Sequence, residues 1–142
     1  MNNINASYGN ENEERELAIQ IVINSALAKG VIVKGISEVL KAIELKKVKC
    51  VFLAEDCSND EYIGIIKSVS LENNIPLVMV DTWEHLRDYC HLGIPCDIIR
   101  KIALEKGKPV KIKPKCSSCA IIEWGDPREG NEFILTYCSN AK

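Results

Sequence analysis

Apolar positions along this chain follow two alternating periods, one helical and one extended. From Glu13 to Lys29, Leu17, Ile21 and Ala28 share one face, and Ala18, Val22, Ala26 with Ile19, Ile23, Leu27 widen it. The spacing predicts a helix buried over most of its circumference, with Gly30 as its stop. Val31-Ile32-Val33 reads as a short strand turned at Lys34-Gly35. Ile36, Val39, Leu40 and Ile43 predict a second helix to about Leu45. Cys50–Ala54 and Leu77–Val80 are continuous apolar runs, the signature of interior strands. Between them, Ser58 with Glu61 three residues on has capping-box spacing and opens a helix to about Asn73. Thr82 caps the next helix, which ends before Gly93 and Pro95. Asp97 caps a shorter one that Gly107 stops. Val110–Lys113 alternates like an edge strand between Pro109 and Pro114. Ala120–Trp124 is the last strand, and a final helix covers Asn131 to about Cys138. Helices alternating with short apolar strands predict a three-layer α/β/α sandwich with a small mixed four-stranded sheet.

Composition supports one globular domain. The chain has 142 residues, 46% of them hydrophobic and 27% charged. Residues 1–12 are polar and read as a disordered acidic tail, leaving 13–142 as a single α/β/α domain. No apolar run approaches the ~18 residues a membrane span needs, so no membrane is expected. The start of the chain also lacks the basic-then-apolar pattern of a secretory signal. Seven cysteines, an odd number, several of them in apolar runs, read as reduced thiols of a cytosolic protein.

The net charge of −2 is no mark of nucleic acid, but its distribution is polarised. From Lys29 to Lys49 there are six lysines against two acids, and from Arg100 to Lys115 seven basic residues against Glu105 alone. Such tracts suit a phosphate backbone. In the first, a glycine at 35 lets a backbone come close, and the helix start after it offers N–H groups to phosphate. Lys29, Lys34 and Lys41 add charge, Ser37 a small donor and Glu38 an acceptor for base amino groups. The plain alternative is a glycine turn with solvated lysines. Trp83 could stack on a splayed base or pack against a helix. In the second tract Lys108, Lys111 and Lys113 either face phosphate or guard a sheet edge.

Other chemistry finds little support. Neither phosphate-binding glycine motif is present. Cys116-Ser-Ser-Cys119 runs into a strand and lacks a second pair, so small buried residues are expected there and neither metal nor cofactor. His85 and His91 lie six apart on the expected helix, on different faces. Asp56 and Asp81 follow interior strands, where enzymes place catalytic groups, but aspartates also cap helices.

Ala26-Leu27-Ala28-Lys29-Gly30, with Lys34-Gly35-Ile-Ser37-Glu38 and Lys41-Ala42-Ile43-Glu44, resembles the kink-turn RNA-binding ribosomal protein superfamily. In that family a G-x-N-E segment opens a helix that grips a sharply bent RNA. The likeness continues through Cys50–Asp56 and Asn74–Val80, and it ends with Cys116–Trp124 and the final helix. It implies a non-enzymatic structural constituent of the cytosolic small ribosomal subunit, bound to rRNA in the head and beak region beside neighbouring ribosomal proteins. It also implies a monomer when isolated, with nucleolar passage during assembly. Two alternatives stay open: a free-standing kink-turn binder of small ribonucleoproteins, and a thiol-dependent or hydrolytic enzyme. The chain departs from the pattern at Ser37 in place of asparagine, at Leu40 in a small polar position, at Lys46-Lys47 in place of Arg-Gly, and at Asp81, acidic where the family is neutral.

Overall fold

A computed structural model describes residues 3–109, 112 and 116–138, with backbone alone for 3–12. The elements in chain order are α1 (Asn3–Lys29), β1 (Val31–Lys34), α2 (Ile36–Glu44), β2 (Cys50–Ala54), α3 (Asp60–Glu72), β3 (Leu77–Val80), α4 (Trp83–Tyr89), α5 (Cys96–Lys106), β4 (Ser118–Glu123) and α6 (Pro127–Tyr137).

The sheet order is β1-β4-β2-β3. β2 pairs parallel with β3 and antiparallel with β4, and β1 pairs antiparallel with β4, so the sheet is mixed. Every residue of β2 is buried, as its unbroken apolar run requires of a strand covered on both faces. Side chains alternate along it. Cys50 and Phe52 join Val78, Val80, Cys119 and Ile121 against Ile19, Val22, Ile23 and Ala26 of α1, Leu86 of α4 and Phe133 of α6. Val51 and Leu53 join Ala120 against Val39 and Ile43 of α2 and Ile66 of α3. The architecture is the expected α/β/α sandwich. α5 stands aside, with Cys96 its one buried residue and Leu104 82% exposed.

Several boundaries move, each for a local reason. α1 begins at Asn3, so the backbone over 3–12 is helical within the stretch that reads as a polar tail. Once the buried stretch from Ile19 has nucleated the helix, each added residue gains a hydrogen bond. Asn59, not Ser58, caps α3: its Oδ1 accepts from the Tyr62 N–H at 3.2 Å. Pro95 precedes α5, and Asp97 lies in its first turn, where it complements the helix dipole. β4 starts at Ser118 because Ser118 and Cys119 pair with Leu53 and Phe52. α6 starts at Pro127, with Asp126 accepting from the Arg128 N–H at 3.0 Å. His91 lies beyond α4, in a left-handed turn with φ 54°. The expected edge strand falls mostly on Val110, Lys111 and Lys113, which lie outside the described residues. Among the described residues no helix is long and apolar enough to cross a membrane.

Candidate nucleic-acid interface

Strand directions decide which loops meet. β1, β2 and β3 run the same way and β4 runs against them, so one end of the sheet gathers four segments. They are Gly35 with the start of α2, Glu55–Cys57, Asp81–Trp83, and Cys116–Ser118. Backbone hydrogen bonds hold this end together: Gly35 N–H to Ser118 O at 2.9 Å, Ala54 N–H to Ser117 O at 2.8 Å, and Glu55 N–H to Val80 O at 2.7 Å.

α2 opens here on Gly35, at φ 88° and ψ 154°, a backbone that suits glycine alone, and no side chain caps it. The first helical bond runs from Val39 N–H to Gly35 O at 3.0 Å. The N–H groups of Ile36, Ser37 and Glu38 precede it and face out of the helix start with the positive end of its dipole. A cavity of about 170 Å³ lies beside them, lined by Gly35, Ile36, Leu53, Cys57, Tyr62, Ser117 and Ser118. Ser118 is 2% exposed and its Oγ has no hydrogen-bond partner. A buried hydroxyl left unpaired is costly.

The candidate residues divide by position. Gly35, Ser37, Glu38 and Lys41 share the first turns of α2, where the Lys41 ammonium pairs with Glu38 at 4.0 Å on the exposed surface. Lys34 closes β1 at the same end, but strand alternation turns it to the other face of the sheet, into an open cavity with Asn24, Cys90 and His91. Lys29 lies at the opposite end of β1, roughly 13 Å away at the rise of a four-residue strand, and is not part of this cluster. Trp83, half-buried, begins α4 at the cluster end. Lys108 is exposed just past the left-handed Gly107 cap of α5. Lys111 and Lys113 lie outside the described residues. Tyr62, Ser117 and Ser118 were not singled out by sequence; Ser117 and Ser118 read only as small residues inside the cysteine pair.

Two aspartates at this end are already engaged: Asp56 Oδ1 accepts from the Trp83 N–H at 2.7 Å, in the first turn of α4, and Asp81 Oδ1 from the Thr82 N–H at 2.8 Å. The cysteines lie inside the fold. The Cys116 thiol is pushed up by its hydrogen bond with Cys90 and by burial. Burial is also the leading cause holding up Cys119. A thiol kept protonated in this way is a poor nucleophile.

The fold and this sheet end define a class. Residues 17–109 match the model of the Ribosomal protein L7Ae/L30e/S12e/Gadd45 family, and the chain belongs to that family. Among curated relatives, it is 32% identical over 120 residues to small ribosomal subunit protein eS12 of Hordeum vulgare, covering 84% of this chain and 78% of that one. It is 33% identical over 119 residues to eS12 of Plasmodium falciparum, covering 84% and 79%. It is 27% identical over 124 residues to eS12 of Caenorhabditis elegans, covering 87% and 82%. A solved structure of a protein of unknown function from Bacillus halodurans shares the fold with a TM-score of 0.56 at 14% identity, covering 83% of this chain and 93% of that one.

Proposed function

We propose that this chain is a non-catalytic structural protein of the small ribosomal subunit and holds rRNA at the sheet end where α2 begins. The observation that carries the reading is the uncapped α2 start on Gly35, set against a cavity lined in part by Ser118, whose buried hydroxyl has no partner. Three outward N–H groups suit a phosphate or a base edge. The cavity suits an unstacked base, with Tyr62 beside it to stack on. The names of the relatives supply the subunit. Lys34 and Lys41 bring charge to this end, Trp83 adds a second aromatic surface, and Lys108, Lys111 and Lys113 extend the contact. In this reading the isolated protein is a monomer, reaches cytosolic ribosomes after nucleolar assembly, and sits in the head and beak region beside other ribosomal proteins.

Gradient sedimentation tests it. The native chain should travel with small subunits and leave them only in high salt. Ser118→Ala separates binding from folding. Removing an unpaired buried hydroxyl should leave the melting temperature equal or higher, while rRNA affinity falls by about 1 kcal/mol, one net hydrogen bond. A chain that stays in the light fractions at every salt concentration is not a subunit protein. Equal affinity for an isolated generic kink-turn would favour the free-standing alternative.

A further inference from the structure

Three side chains that the rRNA reading leaves unused converge where α1 passes the start of α4. Glu16 comes from α1, Asp81 from the turn after β3, and His85 from the first turn of α4. One donor atom from each lies within 4.8 Å of the others. Asp81 and His85 are four apart, the spacing that places two side chains on one face at a helix start. His85 Nδ1 is 2.7 Å from Asp81 Oδ1, so this nitrogen faces the cluster. The Tyr89 ring stacks on the imidazole, centroids 6.1 Å apart, and its hydroxyl donates to Glu16 Oε1 at 2.6 Å. Arg15 lies 3.6 Å from Glu16 Oε2.

We propose that Glu16, Asp81 and His85 form a site for one divalent first-row cation of the Zn²⁺ type, with water completing its shell. The donor set fits that class. One imidazole nitrogen and two carboxylate oxygens suit zinc or cobalt better than calcium or magnesium, which take oxygen alone. Two carboxylates balance the ionic charge. At metal–ligand lengths of about 2.1 Å, tetrahedral donors stand about 3.4 Å apart. From the observed positions, His85 Nδ1 and Asp81 Oδ1, 2.7 Å apart, must part by about 0.7 Å, and Glu16, within 4.8 Å of both, must close by about 1.4 Å at most, a shift its three flexible bonds can make. The Tyr89 hydroxyl can stay on Glu16 as an outer partner that orients the ligand. The His85 and Asp81 side chains are about half exposed, at 52% and 49%, which leaves open coordination positions and a route in from solvent. Metal would exchange for the proton shared by His85 and Asp81 and tie α1 to α4. The hydrogen bonds already present hold these elements together, so the fold does not depend on the ion.

The buried thiols make cobalt the better probe, because its visible spectrum separates sulfur ligation from nitrogen and oxygen ligation. Titration of the full chain with Co²⁺, without RNA, should give one site per chain with weak d–d bands and no intense sulfur-to-cobalt charge transfer. Zn²⁺ should raise the melting temperature, since binding favours the folded state by mass action. His85→Asn and Glu16→Gln should each weaken Co²⁺ binding at least about tenfold, and His91→Asn should not. Asp81→Asn gives an independent third variant, and metal-free melts of every variant report whether the fold is kept. Unchanged affinity in the His85→Asn variant, strong charge-transfer bands, or no binding at millimolar Co²⁺ would each overturn the site.

Discussion

At one end of the sheet α1 turns into β1 at Gly30, and β4 turns towards α6 through Gly125. A methyl group on Gly30 would collide with the Glu123 carbonyl, and one on Gly125 with the backbone of Ser25. Glycine there lets backbone lie against backbone, and the end is closed. At the other end a methyl group on Gly35 would meet nothing within 4 Å. Glycine there serves its φ of 88° and leaves the helix start open. The same residue type therefore closes one end by contact and opens the other by conformation. The open end presents the N–H groups of a helix start to a ligand.

The largest effect should come from breaking the closed end. Gly30→Ala should destabilise the fold by about 3 kcal/mol, the upper range for overpacking, while the folded fraction binds rRNA as before. Gly35→Ala should cost about 2 kcal/mol of backbone strain and also weaken rRNA binding by the folded protein. Urea unfolding beside quantitative rRNA binding measures both. Normal binding by folded Gly35→Ala would mean that the open end is not the interface.

A smaller effect should come from charge. Lys34→Gln and Lys41→Gln should each flatten the log-log salt dependence of rRNA binding by about one unit, with little change in melting temperature. Lys29→Gln, at the closed end, should not alter the slope. Replacing Lys108, Lys111 and Lys113 together by glutamine should flatten it as well. If it does not, those lysines only guard an edge. The smallest effect should come from restoring the family residue. Ser37→Asn should tighten a generic kink-turn RNA by about 1 kcal/mol, because an amide can donate and accept together. Nanomolar binding of such RNA by the unaltered chain would remove any role for the serine.

What the sequence disclosed follows the range of the forces involved. The strands Cys50–Ala54 and Leu77–Val80 were legible because each is a continuous apolar run. The Thr82 cap was legible because a hydroxyl three residues before His85 reaches its N–H, here at 3.1 Å. The sequence groups Gly35, Ser37, Glu38 and Lys41 because they are neighbours at one helix start, and the structure keeps them together there. Ser118 was not legible, because its importance comes from β4 running between β1 and β2, a tertiary fact with no local pattern. The Glu16, Asp81 and His85 trio was hidden for the same reason: its members are far apart in sequence, and only the packing of α1 beside α4 brings them together. Lys29, close to Gly35 in sequence, is separated from it by the whole of β1.

The place of β4 also bears on the order of events during synthesis. Among the described residues β1, one of the first elements made, pairs with β4 alone, one of the last. Until residues 118–123 leave the exit tunnel, β1 has no ladder and Gly35 lacks the Ser118 carbonyl it bonds to. β2, α3 and β3 can associate earlier, because their parallel pairing needs only a nearby crossover. Such late, long-range closure is slow compared with local contacts. On the proposed reading, the nascent chain therefore carries the open start of α2 for most of its synthesis without the cavity that Ser117 and Ser118 complete, and recognition waits for the sheet to close.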